Sequence, residues 1–333
     1  MNPNLLDAMV LKGVLISVTV RYWRARKKLK PEDLGLSDDQ INDRLISLGH
    51  KRLVPRDCLK ELALIEGRAH ACVEENTFPF LNGVARYLPN PKLETVTAKL
   101  ESLKHDFESA RADFLSRYAD FRREALQEWR ETAIRLANDP ERTAAVIEGA
   151  FPSPDAMEHH FGFHVNLFQV AVPNVPTGEL VALGTQREVI AAREDAVRSA
   201  RQEIDSSCRE FIADCTATLR EQTAALCSDM LETISSTGSV HQKTLNRLVK
   251  FIDHFRELNF VNDTEMETQL EQVRDEFLQR SAGEYRDSDP ARQGLVKGLT
   301  ALRQSAAQMA EADTRSVVES FGQVGRRRFS LAA

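Results

Sequence analysis

One uninterrupted helical pattern, from Pro91 to Leu136, constrains the fold of this chain more than any other feature. Apolar residues recur in it at steps of three or four, as they do on one face of an α-helix. They are Leu93, Val96, Leu100, Leu103, Phe107, Ala110, Phe114, Tyr118, Phe121, Ala125, Trp129, Ala133 and Leu136. At a rise of about 1.5 Å per residue, such a helix is roughly 65–70 Å long. Because it cannot bury its own apolar stripe, the pattern requires a partner.

A second helical run, over about residues 186–234, supplies a partner of similar length. A capping box, Thr185-x-x-Glu188, opens it, and Thr237-Gly238 closes it. We predict a mainly α fold, an elongated antiparallel hairpin or bundle of the long helices 91–140 and 185–237. The apolar spacing departs from a strict heptad, so we expect the coiled coil to pack close to straight and not as a tight two-stranded supercoil.

Two segments carry the alternating apolar pattern of β-strands. One runs from Val14 to Tyr22 and the other from Phe161 to Val172. Because they are the only long β signals in the sequence, we expect them to pair in a short two-stranded sheet. We place this sheet in a small α+β head formed by residues 1–90 and 141–176.

Local signals complete the predicted organisation. Asn82-Gly83, inside an apolar stretch, predicts a β-hairpin. Helices are expected in the head over residues 37–49 and 55–75, from their capping and apolar spacing. Residues 239–320 are predicted to form shorter packing helices, and residues 321–333 a flexible tail.

Composition narrows the classes of function. The net charge is -6 and the pI about 5.8, which does not favour a polyanion as the partner of the whole molecule. The five cysteines form no CxxC pair, which favours small core residues in a reducing, cytoplasmic setting. The apolar segment Met9–Val20 is short and contains Lys12, so it predicts neither a signal peptide nor a membrane span.

The sequence offers little chemistry for catalysis. His160 and His164 have the i,i+4 spacing that places two metal ligands on one helix face, with His159 and Glu158 beside them. Gly162 separates them where helix is expected to turn into strand, so we favour a polar turn over a metal site. The sequence contains no GxSxG, HExxH or phosphate-binding glycine loop. We therefore predict a protein that is not an enzyme, with no catalytic residue, metal or cofactor.

A basic stretch from Arg21 to Lys30 holds six cationic residues in ten, with two aromatic residues among them. Cations beside aromatic rings can bind phosphate and stack on bases. The residues that we select for docking to a partner or to phosphate are Trp23, Arg24, Arg26, Lys27 and Lys28. The alternative is a solvated face whose charge is neutralised by nearby carboxylates. The carboxylates that follow closely belong to Asp33, Asp38, Asp39 and Asp43.

Several segments together carry a family resemblance. They are residues 23–29, 32–36, 48–53, 78–89, 114–129 and 161–172. On these residues the chain resembles a bacterial domain family of unknown function, encoded near MoxR-type AAA+ ATPases and von Willebrand A-type (CobT-like) proteins on phages and integrative elements. The family usually reads Trp-Ser-Gly where this chain has Trp23-Arg24-Ala25. The resemblance implies these two proteins as partners and supplies no catalytic residue.

Three hypotheses for the function are compatible with these observations. We favour a non-catalytic helical interaction protein, an adaptor or substrate of the MoxR-type ATPase and its von Willebrand A partner in a phage or mobile element. The second is a membrane-active protein similar to α-helical pore-forming toxins, with residues 161–172 as the inserting tongue. The third is a nucleic-acid-binding accessory protein that uses residues 21–30. A homo-oligomer is compatible with each hypothesis.

Overall fold

Most of the described residues are helical and the β part is small, so the predicted mainly α class is confirmed. A computed structural model of the chain describes residues 4–34, 36, 45–81, 83–137, 139–171, 187–312 and 314–331. Most of the helix predicted over residues 37–49 lies outside the described residues. Thr185, which was predicted to open the second long helix, lies outside them too.

The two long helices occupy the predicted stretches, as α3 and α6 below. The described α-helices are α1 Asn4–Lys12, α2 Lys60–Asn76, α3 Asn90–Leu136, α4 Pro140–Glu148, α5 Pro154–Glu158, α6 Arg187–Thr237, α7 Gln242–Leu258, α8 Thr264–Phe277, α9 Ala282–Asp287, α10 Asp289–Glu311 and α11 Arg315–Leu331. Short 3₁₀-helices cover Pro31–Leu34 and Arg56–Leu59, and the second of them runs directly into α2.

The chain divides into two compact units. The first unit contains Met1–Ile16, Asn76–Glu94 and Leu167–Ala333, and the second contains Ser17–Glu75 and Thr95–Asn166. Helix α6 belongs to the first unit, and α3 belongs to the second from Thr95 onwards. Packing of these two helices against each other stays a prediction.

In the first unit, α6 packs chiefly against α10. The apolar residues buried on α6 include Cys208, Cys215, Leu219 and Leu226. Those buried on α10 include Leu295, Leu299, Leu302 and Ala306. Each set recurs at steps of three, four or seven, so each forms one stripe of its helix. A helix from the C-terminal third therefore covers the long apolar stripe of α6.

The main sheet has four strands rather than the predicted two. The described strands are β1 Gly13–Arg21, β2 Arg26–Lys28, β3 His50–Arg52, β4 Phe78–Phe80, β5 Ala85–Pro89 and β6 Gly162–Phe168. The order β4-β5-β1-β6 places β1 beside β6, which confirms the predicted pairing. The predicted strand count is wrong because the hairpin β4–β5 adds its second strand to β1, from Gly13 opposite Pro89 to Ile16 opposite Arg86.

Two glycines allow this extension of the sheet. Gly83, in the turn between β4 and β5, has a φ of 82°, a left-handed conformation that glycine adopts without strain. Gly13 lies against Tyr87, whose ring would be 2.5 Å from a Cβ atom added at Gly13. The predicted hairpin is therefore confirmed, and its β5 can approach β1 because Gly13 has no side chain.

Helix α11 continues to Leu331 and so contains most of the tail predicted over residues 321–333. The flexibility of that tail stays a prediction. Phe321 is buried, and its ring contacts that of Phe260 edge-on at 5.7 Å between centroids. Helix α11 also packs along α1. Val318 and Phe321 therefore give this helix an apolar side that the sequence reading overlooked.

Three of the five cysteines are core residues, as predicted. Cys208, Cys215 and Cys227 are buried in the first unit, and burial raises the pKa of Cys208 and Cys227 to about 12. Cys58 and Cys72 are half-buried, and burial also raises the pKa of each thiol. We expect a thiol reagent at neutral pH to modify these two slowly and the three buried thiols only on unfolding, because the thiolate is the reactive form.

Mass spectrometry of the native protein after timed labelling measures this difference. All five thiols should react in denaturant, and the double variant Cys58→Ser/Cys72→Ser should take up no label while folded. Rapid labelling of Cys215 in the native protein would contradict the expectation.

Candidate functional site

The short strands β2 and β3 form a second, two-stranded antiparallel sheet in the second unit. Arg26 lies opposite Arg52, and Lys28 lies opposite His50. Directly opposed residues of an antiparallel pair share one face of the sheet. All four side chains are exposed. We call Arg26, Lys28, His50 and Arg52 the cationic face.

The middle residues of β2 and β3 differ from each other in exposure, because Lys27 is exposed. Lys51, opposite Lys27, is buried, and its Nζ atom lies 2.5 Å from Oδ1 of Asp33. A buried ammonium needs such a partner because desolvation of an unpaired charge is costly. Asp33 is thus the one of the four predicted neutralising carboxylates that lies within the described residues, and it pairs with Lys51 rather than with the cationic face.

A cavity of about 530 Å³ adjoins the cationic face, and we call it the cationic cavity. Its positively charged lining consists of Arg24, Arg26, Arg52, Arg56 and Lys60. Its apolar lining consists of Val54, Pro55, Leu59, Ala63 and Leu64. Tyr22 and two carboxylates, Asp57 and Glu66, complete it. Five cations against two carboxylates leave an excess of three positive charges.

Arg24 is bound to other lining residues. Its Nη1 atom donates to Oε2 of Glu66 at 2.7 Å and to the Tyr22 hydroxyl at 2.6 Å. The guanidinium lies 4.1 Å from the centroid of the Tyr22 ring, a cation–π contact. The hydrogen bond from Arg24 lowers the pKa of Glu66, and burial raises the pKa of Tyr22. Arg24 therefore stabilises the cavity wall and is not available as an unpaired cation.

The other cations of the cavity are differently placed. Arg26, Arg52, Arg56 and Lys60 are all exposed. Among the described residues, none of these four forms an ion pair with a carboxylate. Asp38, Asp39 and Asp43, which were predicted as neutralising partners, lie outside the described residues.

The prediction of Trp23 as a docking residue is wrong, because its side chain lies in the core and is only 7% exposed. Its ring centroid is 6.3 Å from that of Phe114, 5.8 Å from that of Tyr118 and 5.9 Å from that of Phe151. The indole is thus held by aromatic packing within the second unit. It is not exposed for docking or for stacking on a base.

Of the other predicted docking residues, Arg26, Lys27 and Lys28 are exposed on strand β2, and Arg24 is paired with Glu66. Sequence reasoning missed Arg52, Arg56 and Lys60 as parts of the same site. The segment Lys51-Arg52 is basic, but nothing local in it indicates that it lies beside Arg26. Only the pairing of β2 with β3 brings the two stretches together.

The histidine cluster lies at the predicted change from helix to strand. His159 and His160 follow α5 in a turn, and His164 is in β6. Within the part of the chain that the structure describes, no group of three histidine, cysteine or acidic residues is arranged to hold a metal ion. None of the described helices has both the length and the apolar character needed to span a bilayer.

A family model described as "Protein of unknown function (DUF3150)" matches residues 11–286. The chain belongs to the DUF3150 family. The matched region of this DUF3150 protein includes every residue of the cationic face and the cationic cavity. Comparison with curated proteins and with solved structures gives no match.

Proposed function

We propose that this DUF3150 protein is a non-catalytic interaction protein that docks an acidic surface of a protein partner through its cationic face. The family resemblance supports a MoxR-type AAA+ ATPase or its von Willebrand A-type partner as the protein bound, in a phage or mobile element. The chain would serve as an adaptor or substrate of that ATPase. The observation that carries the proposal is the set of three exposed cationic side chains and His50 on one face of β2–β3.

The pairing of β2 with β3 places like charges together, and this arrangement favours binding of an acidic surface. Like charges directly opposite each other on a sheet are destabilising, and Arg26 faces Arg52 in this way. Carboxylates of a partner placed between these side chains would remove that repulsion. Complementary charges would also speed the encounter and make it sensitive to salt.

Nucleic acid is the second candidate, because an exposed row of arginine and lysine also suits a phosphate backbone. The burial of Trp23 removes the aromatic residue on which bases were expected to stack. The protein partner is therefore the better supported of the two. Retention of DNA with strong salt dependence, lost on substitution of the cationic face, would favour the second candidate.

A pull-down with a MoxR-type ATPase and a von Willebrand A-type protein, the partners that the family resemblance implies, tests the proposal with and without nucleotide. The double variant Lys28→Glu/His50→Glu places two carboxylates on the cationic face and leaves the residues of the cationic cavity unchanged. We expect it to weaken binding about tenfold or more, which corresponds to a change of about 1.4 kcal/mol or more in binding free energy.

Lys104→Glu/His105→Glu is the matched control, since it makes the same substitutions at two exposed positions of α3. It should bind within about twofold of the unchanged protein, since rim charges away from the contact contribute little. Equal binding by the two double variants would contradict docking through the cationic face. Recovery of neither partner in any nucleotide state would overturn the assignment of the partner.

A further inference from the structure

We infer that the cationic cavity is a binding site for a phosphate-bearing small molecule, one with a diphosphate or triphosphate group and an organic part. This inference goes beyond the proposed function, because the ligand would bind the isolated chain with no protein partner present. Arg26 and Arg52 belong to both the cationic face and the cationic cavity, whereas Arg56 and Lys60 belong to the cavity alone.

The size of the cavity fits a small molecule. Ligand pockets commonly have volumes of about 300–1,000 Å³, and this cavity, which is open to solvent, has a volume of about 530 Å³. Such a volume is more than a single inorganic phosphate fills. The apolar part of the wall, which includes Leu59, Ala63 and the 44% exposed Leu64, offers a surface for an organic part.

The charge of the cavity fits a ligand with several negative charges. With Arg24 held by Glu66, four cationic side chains remain in the wall. Arginine guanidinium groups bind phosphate oxygens through two parallel hydrogen bonds, and three of these four side chains are arginines. A single carboxylate would neutralise one charge of the excess of three. A diphosphate or triphosphate group would neutralise most or all of it.

The pairing of β2 with β3 also favours an anion at this wall. It fixes Arg26 and Arg52 opposite each other at the wall of the cavity, although like charges in this position are unfavourable. A phosphate group that accepts hydrogen bonds from both guanidinium groups would turn this repulsion into attraction.

Isothermal titration calorimetry on the full chain tests the inference, with pyrophosphate, ADP, ATP and adenosine as probes. We expect binding of ADP and ATP, weaker binding of pyrophosphate and at least tenfold weaker binding of adenosine, since the phosphates provide the charge. Arg56→Ala/Lys60→Ala should weaken ATP binding about tenfold or more. Arg68→Ala/Lys104→Ala removes one arginine and one lysine at exposed positions outside the cavity and should leave it within twofold.

Several outcomes would overturn the inference. They are no heat with any phosphate compound, equal ATP affinity for the two double variants, and displacement of ATP by an acidic peptide at lower concentration than by pyrophosphate. Circular dichroism checks that each variant is folded. Arg52→Gln, a smaller change of side-chain volume than arginine to alanine, should also weaken ATP binding. Because Lys28→Glu/His50→Glu leaves the cavity unchanged, loss of partner binding and loss of ATP binding can be told apart.

Discussion

Replacement of Arg220 by methionine is expected to lower the free energy of unfolding by about 3–5 kcal/mol, because it leaves a buried carboxylate without its partner. The Nε atom of Arg220 lies 2.7 Å from Oδ2 of Asp263, and Nη1 donates to the Met309 carbonyl oxygen at 2.7 Å. The two charged side chains are 6% and 2% exposed. Asp263 is also the N-cap of α8 and accepts from the backbone N–H of Met266. The ion pair thus joins α6 to the start of α8, and the second hydrogen bond of Arg220 joins α6 to the end of α10.

Urea unfolding followed by circular dichroism measures this loss. The control is Arg209→Met, which breaks an exposed ion pair with Asp205 on the same helix and should cost about 1 kcal/mol or less. Arg220→Met/Asp263→Asn should lose less than Arg220→Met alone, because asparagine is neutral and still caps a helix. A loss below about 1 kcal/mol for Arg220→Met would show that the pair does not hold these helices together.

Replacement of Trp23 by alanine is expected to destabilise the second unit by about 3–5 kcal/mol, as for other large aromatic residues removed from a core. The indole fills the space between Phe114, Tyr118 and Phe151, and alanine would leave a cavity lined by their rings. Trp23→Phe keeps part of the packing and should lose about 1–2 kcal/mol. Lys28→Ala, at an exposed position of β2, should change the free energy of unfolding by about 0.5 kcal/mol or less.

Unfolding of the three variants and partner binding, measured on the same preparations, distinguish a core role of Trp23 from a docking role. Substitution of a core residue lowers the unfolding midpoint, and it weakens partner binding only because less of the protein is folded. If Trp23→Ala kept the unfolding midpoint of the unchanged protein but lost partner binding, Trp23 would be a docking residue and not a core residue.

Local sequence predicts some residues of the candidate site and not others. The cluster of basic residues after β1 was visible as a run, and Arg26, Lys27 and Lys28 are exposed as a docking site requires. The run could not reveal that Trp23 packs on Phe114, 91 positions further along the chain. Nor could it reveal Arg52, Arg56 and Lys60, because a charged residue looks the same in sequence whether it lies alone or beside another charged segment.

The sequence by itself determined where the long helices, the hairpin β4–β5 and the strands β1 and β6 lie, because apolar period, capping residues and turn glycines are local properties. Tertiary structure alone decided that α10 covers the stripe of α6, that Trp23 is buried, and that cations from two distant segments share one cavity. The physical reason is that the hydrophobic effect is non-directional. An apolar stripe shows that a face must be buried, but the choice of the surface that buries it depends on the fit of the whole chain.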